Sequence, residues 1–360
     1  MTPRDLLRQR LINQQIAPAF RRSPSEVVAW LGAMQAQDYS GALWAIGLRS
    51  GNAIEADVER AIAERTIVRT WPMRGTLHFV AAADVRWMLA LLTPRIIAGS
   101  ATRNRQLELD ESVFTRSRKL FIRALQGGRT LARDAMTALL EGAKISTAGQ
   151  RGYHILWRLA QEGVLCFGTR AGKQHTFALL DEWVPRAKSM DREGALAELA
   201  RRYFTSHGPS TLQDFVWWSG LKMSDGKAGL AMAAKHLSRE TVNGVDYWLP
   251  PSTFNPDPST FSPVHLLPGF DQYLLGYTDR SAALDSSHAQ KIVPGNNGVF
   301  MPTIVIRGRV AGTWKRSRKC QEIIVEAHPF TSLNKSETRA FSAAARRYGG
   351  FIGTSVTLRE

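Results

Sequence analysis

A plan of three helices followed by a two-stranded hairpin, used more than once, constrains this chain more than any other feature. Residues 115–183 carry it most clearly: a helix to about Gln126, the break Gly127-Gly128, a helix opened by Thr130, and a third from Thr147 to Gln161 ending at Gly163. Two strand-like runs, Val164–Gly168 and Gln174–Leu179, then flank Thr169-Arg170-Ala171-Gly172-Lys173. That order is the winged helix, a variant of the helix-turn-helix. The plan recurs roughly 80 residues later, at a period long enough to repeat a whole supersecondary unit. Gly194–Ser206 reads as a helix, Gly208-Pro209 breaks it, Thr211 and Ser224 or Asp225 open two more, and Arg239–Leu249 reads as a hairpin turning at Asn243-Gly244.

A less regular copy precedes these two. Ser23, Pro24 and Glu26 form a helix-start signal, and Val27, Val28, Leu31 and Met34 recur at helical spacing, so a helix is expected over 23–36 with Asp38–Gly41 as its stop. A second helix is expected over Glu55–Arg65, then strands Ile67–Trp71 and Thr76–Val80 around the turn Pro72-Met73-Arg74-Gly75. Five prolines within residues 250–263 cannot continue helix or central strand and mark a linker. Beyond it, strands are expected at Val264–Leu267, Tyr273–Tyr277, Met301–Ile306, Arg309–Trp314 and Gln321–Glu326, with a helix over Lys335–Tyr348. The expected fold class is α+β, with three tandem winged-helix modules at 1–112, 113–188 and 189–250 and a β-rich region at 251–360.

Charge narrows the partner. The chain has 47 Lys and Arg against 31 Asp and Glu, a net charge of +16, which draws a polyanion over long range. The most apolar stretch, Trp87–Ala98, is broken by Pro94 and Arg95 and is too short to span a bilayer, and no apolar core resembling a secretion signal follows Met1. Double-stranded DNA is therefore the expected partner, and the expected location is the cytoplasm, at the nucleoid. Cys166 and Cys320 each lie in a strand-like run and read as buried reduced thiols, and neither a metal nor a cofactor is expected.

Several enzyme patterns are excluded. Gly220 and Gly226-Lys227 miss the spacing of a phosphate-cradling loop, and Ala228 stands where that loop needs Ser or Thr. The eight histidines show no zinc-protease spacing. Arg170 and Lys173 at a wing tip are either solvated or in contact with DNA phosphates, and Arg74 at the other turn is open to the same two readings. Trp71, His78, Trp157, Trp217 and Trp218 are assigned to packing. Gln35 and Gln37 are two residues apart and would point about 200° apart on a helix, so they converge only where a helix ends or deforms. There they are either capping amides or groups that hold one water or sugar.

Met34-Gln35-Ala36-Gln37-Asp38, Thr70-Trp71-Pro72-Met73-Arg74-Gly75-Thr76-Leu77-His78, and Leu267-Pro268-Gly269-Phe270-Asp271 with Gly276-Tyr277-Thr278-Asp279-Arg280 resemble the winged-helix DNA glycosylases of the AlkZ and YcaQ type. The resemblance covers almost the whole chain. It implies three winged helices around a concave DNA-binding surface, and excision of bulky or crosslinked N7-alkylated purines in base excision repair. The family's Gln-aliphatic-Gln catalytic motif falls on Gln35, Ala36 and Gln37, closer to the AlkZ-like branch than to the YcaQ-like one, which has an acid in the third place. Asp38 is an auxiliary candidate, as an acid displaced by one residue. A monofunctional hydrolase acting as a monomer is expected, with Arg74, Arg170 and Lys173 on DNA. The competing reading is a non-enzymatic winged-helix transcriptional regulator.

Overall fold

The computed structural model describes residues 1–17, 22–184, 189–251, 262–319 and 322–359. The N-terminal part comprises α1 (Pro3–Asn13), α2 (Pro24–Leu31), β1 (Ala33–Gln35), α3 (Tyr39–Gly47), α4 (Glu55–Ala63) and the hairpin β2 (Ile67–Met73) and β3 (Thr76–Ala81). Next come α5 (Val85–Gly99), α6 (Ala101–Gln106), α7 (Glu111–Leu125), β4 (Leu131–Ala132), α8 (Arg133–Gly142), α9 (Arg151–Gln161), β5 (Leu165–Phe167), β6 (Thr176–Leu179) and α10 (Leu180–Trp183). A second run holds α11 (Arg192–His207), α12 (Leu212–Ser219), α13 (Met223–Ala233), β7 (Ser238–Val242) and β8 (Val245–Leu249). The C-terminal part has β9 (Val264–Leu267), α14 (Gln272–Leu275), α15 (Ala289–Ile292), β10 (Thr303–Ile306), β11 (Arg309–Lys319), β12 (Glu322–Pro329), α16 (Lys335–Ile352) and β13 (Val356–Arg359).

Backbone contacts divide these elements into two units, one formed by Met1–Glu59 with Leu196–Glu360 and the other by Arg60–Ala195. Within Arg60–Ala195, α7, α8 and α9 precede the β5–β6 hairpin, and β4 pairs with β6 through Leu131↔Phe177, the element order expected of a winged helix. Arg69 of β2 pairs with Phe167 of β5, so the two hairpins share a sheet. The apolar core beneath it is built from Phe114, Phe121, Leu125, Met136, Leu140, Ile155, Leu159, Phe167 and Phe177. Pro72 and Met73 belong to β2 rather than to the turn. The register shifts between Thr70 and Met73, a bulge of the kind that lets a strand accommodate a proline.

In the other unit α11, α12 and α13 precede the β7–β8 hairpin, which turns at Asn243 and Gly244 with φ of 51° and 76°. Positive φ at both central residues is what the Asn-Gly pair supplies to a tight hairpin. The C-terminal sheet runs β13-β12-β11-β10-β9, antiparallel except for β12 against β13. The helix α16 covers it: Trp44 of α3 and Trp314 of β11 lie 5.2 Å and 5.3 Å from Tyr348, and their indole N–H groups donate to the carbonyls of Leu266 and Leu267. A Cβ on Gly47 would lie 2.1 Å from the Phe351 ring, so glycine sets the close approach of α3 to α16.

Three sequence expectations are corrected here. The run Tyr273–Tyr277 is not a strand: Asp271 accepts from the Tyr273 N–H at 2.9 Å and opens α14. Burial of Tyr273 and Leu275 together disguised the helical turn as an apolar strand. The helix expected over 23–36 ends at Leu31, because Gly32 turns the chain with φ of 77°. Asp38–Gly41, expected to stop that helix, instead starts α3, with the Gly41 N–H donating to the Asp38 carboxylate at 3.1 Å. Cys166 is buried in β5, whereas Cys320 and most of the proline-rich linker lie outside the described residues. No helix among the described residues is long and apolar enough to cross a membrane.

Candidate active site

The early end of α2 sets the geometry of the glutamine pair. Ser23 and Glu26 cap the helix reciprocally, Pro24 opens it, and Gly32 releases the chain into β1, which ends at Gln35 and is followed by a bend at Gln37. Off the helix and across this bend the two side chains meet: the Gln35 amide donates to Gln37 Oε1 at 2.5 Å. Ala36 between them is fully buried, so the middle position of the triplet belongs to the core. Gln35 is nearly buried while Gln37 is exposed, which leaves the pair open to solvent on one side.

The segment after the pair is firmly held. Asp38 caps α3 and stands 3.8 Å from Arg316 Nη2, and Arg316 Nη1 donates to the Tyr348 hydroxyl at 2.7 Å. A cavity of about 360 Å³ beside it is lined by Ser40, Glu55, Arg316, Arg318, Tyr348 and Thr354. Arg316 and Arg318 were missed by sequence reasoning. Their signal was the run Lys315-Arg316-Ser317-Arg318-Lys319, where alternation along β11 separates the arginines from the serine between them. Two hydrogen bonds link the Arg49 guanidinium to Asp271, at 2.9 Å and 2.7 Å, and both residues are buried. Asp271, one of the resemblance residues, is thereby a clamp between the end of α3 and the C-terminal region.

The remaining candidates fall in the Arg60–Ala195 unit. Arg74 takes the first turn position between β2 and β3 with φ of 53°, and the residue is half-buried, not a solvated tip. Desolvation lowers its pKa to about 10. His78 is fully buried; loss of solvent first, and then the Arg74 charge, hold its imidazole down at about 3. Trp157 donates to the Gly75 carbonyl at 3.0 Å and fixes the same turn. On the wing, Ala171 pairs with Gln174 around Gly172, leaving Lys173 exposed and Arg170 half-buried. Trp71 and Trp218 are buried as expected, but Trp217, assigned to the core, is 45% exposed, with the Arg280 guanidinium 6.0 Å from its ring. Adjacent helix positions point about 100° apart, so only one of Trp217 and Trp218 faces the core.

What the pair can do follows from its chemistry. Two amides offer hydrogen-bond acceptors and donors but no titrating proton, so they can orient a water and face a positive charge with carbonyl dipoles. The carboxylate next in the chain, Asp38, is engaged by the α3 N-terminus and Arg316. Among the described residues, no group of three or more His, Cys, Asp or Glu side chains converges as metal ligands.

The sequence model of the family described as "DNA glycosylase AlkZ-like" matches residues 28–351, a span that contains the glutamine pair, the three hairpins β2–β3, β5–β6 and β7–β8, and most of the C-terminal sheet. The chain belongs to that family of DNA glycosylases, hydrolases of N-glycosyl bonds. Among its relatives is an interstrand DNA cross-link repair glycosylase of Streptomyces sahachiroi, 28% identical over 376 residues that cover 98% of this chain and 97% of the relative. The solved structure of the Streptomyces sahachiroi DNA glycosylase AlkZ superposes with a TM-score of 0.81 at 24% identity over the full length of both chains, a likeness of fold.

Proposed function

We propose that this chain hydrolyses the N-glycosidic bond of bulky or crosslinked N7-alkylated purines in duplex DNA. The observation that carries the mechanism is the contact of the Gln35 and Gln37 amides where the chain leaves β1. Two side chains near enough to bond each other can hold one water between them after a small rotation. An N7-alkylated purine is already cationic and leaves with the bonding electron pair without being protonated. The enzyme's task is then to place the water against C1′ and to stabilise the positive charge that grows on the sugar, a task suited to carbonyl dipoles. Water oxygen forms the new bond to C1′, the purine departs neutral, and the water proton passes to solvent, leaving an abasic site and no covalent enzyme intermediate. Asp38 acts here as the anchor of the segment, through α3 and Arg316, rather than as the acid of the reaction.

Three tandem winged helices, 1–112, 113–188 and 189–250, followed by the β-rich region 251–360, would present Arg74, Arg170 and Lys173 to phosphates of the duplex, with the protein acting as a monomer in the cytoplasm. The two helix-helix-helix-hairpin runs and the charge of +16 support this reading. Unhooking of interstrand crosslinks belongs to the same proposal, on the strength of the relative's name. The test is release of base from a duplex carrying one N7-alkylguanine, read as strand cleavage after alkali. Gln35→Ala and Gln37→Ala should slow release sharply and keep salt-dependent binding; loss of binding or of folding would return the pair to a structural role.

A further inference from the structure

The Arg60–Ala195 unit contains a pocket that the glycosylase reading does not use. It holds about 290 Å³, near the lower end of the range for small-molecule sites. Trp71 and Leu77 of the β2–β3 hairpin, Phe167 and Phe177 of the β5–β6 hairpin, and Leu156 of α9 form its floor. Aromatic rings shape it: Trp71 and Phe167 have centroids 5.1 Å apart, Phe167 and Phe177 4.7 Å, and Tyr153 and His175 stand edge-on at 80° to Trp71 and to Phe167. A tilted floor with two perpendicular walls is a slot for one flat ring, since aromatic pairs favour offset and edge-to-face contact.

Charge in the slot has one sign in excess. Arg69 is 5% exposed, with its guanidinium 4.7 Å from the Phe167 centroid, and Arg133 stands exposed at the mouth, 5.9 Å from the Tyr153 ring. Asp134 is the opposing charge among the lining residues, and Gln174 adds an amide at the rim. The imidazole of His175 is held down at about 4 by desolvation and by the Arg69 and Arg170 charges, so it stays neutral near pH 7. Planar guanidinium groups pair with carboxylates through two parallel hydrogen bonds.

We propose that this pocket binds a small planar aromatic acid, its ring in the slot and its carboxylate on Arg133 at the mouth, with Arg69 beneath the ring. The class is set by the combination: rings alone would take any flat apolar molecule, and arginines alone any anion. The occupant is a free small molecule, separate from the DNA on which the glutamine pair acts.

The test uses the full chain and calorimetric titration with quinoline-2-carboxylate, with quinoline and cyclohexanecarboxylate as probes that lack the acid or the aromatic ring. One saturable site for quinoline-2-carboxylate, at least tenfold tighter than for either control, is expected. Arg133→Ala, an exposed change that leaves the unfolding midpoint in place, and Phe167→Leu in the floor should each weaken it at least tenfold. Failure to saturate at millimolar concentration, equal affinity for the three probes, or binding unchanged in both variants would overturn the proposal and leave the cavity as a gap in the core. Displacement by undamaged duplex DNA would also overturn it, by making the slot part of the DNA surface. Base release plays no part in the readout, so the outcome is independent of the glycosylase reading.

Discussion

At the scale of single residues, the catalytic proposal turns on backbone geometry more than on the amides themselves. Gln35 and Gln37 meet because Gly32 takes φ of 77° and ends α2 early. A helix through 36 would have aimed the two amides apart. Replacing Gly32 with alanine puts a Cβ on a conformation that L residues avoid, although Trp218 is 3.5 Å away and leaves room. The expected loss is about 1 kcal/mol or more of unfolding free energy in denaturant titration, with a fall in single-turnover base release as the pair loses alignment. Breaking the Arg49–Asp271 pair is costlier, since it strands a buried charge: Arg49→Met should destabilise by about 3–5 kcal/mol in the same titration. Each single glutamine-to-alanine change should slow base release about 10²-fold, the scale of losing one preorganised dipole. The double variant should fall well short of the product of the two, as expected when groups act on one water.

Among the elements, the hairpins carry the DNA-binding prediction. Lys173→Ala at the exposed wing tip should weaken binding to any duplex sequence and reduce the slope of log affinity against log salt by about 1. An unchanged slope would make the wing a solvated turn. The elements also show what could be read in the residues beforehand. Both later helix-helix-helix-hairpin runs were legible, because glycines, the Thr211 cap and the Asn243-Gly244 turn punctuate them locally, although α8, α9 and α13 begin at Arg133, Arg151 and Met223 rather than at Thr130, Thr147 and Ser224 or Asp225. Element ends within apolar runs were not. Val27 to Met34 keeps one hydrophobic pattern across Gly32, since Met34 is buried from β1 as it would have been from a helix. Asp38 reads equally as a stop or a start, and its cap on α3 decides the matter only in three dimensions. The glutamine triplet was visible as a motif, but the contact between its amides was hidden, and so was Arg316, which reaches Asp38 from a strand far along the chain.

For the whole molecule, charge and burial act on different properties. The excess of 16 positive charges steers the chain to DNA and makes its binding strongly salt-dependent, without fixing the fold. Stability carries a separate pH signature. His78 in one unit and His207 in the other are fully buried, and desolvation holds each at about 3 instead of the ordinary 6.5. A depressed histidine favours the folded state above the unfolded pKa and loses that contribution as pH falls. Stability should therefore decline from about pH 6.5 toward pH 3, by up to about 1.4 kcal/mol per pH unit for each histidine, and His78→Gln should flatten this decline in thermal unfolding scans. If two neutral amides act on one cationic base, single-turnover release from a duplex with one N7-alkylguanine reads their action without interference from later steps. Wild-type protein should release the base and leave an alkali-labile site, with Gln35→Ala and Gln37→Ala folded, DNA-bound and slow by about 10²-fold. Release at the wild-type rate by either variant, or no release by the wild-type chain from any N7-alkylated or crosslinked duplex, would contradict it.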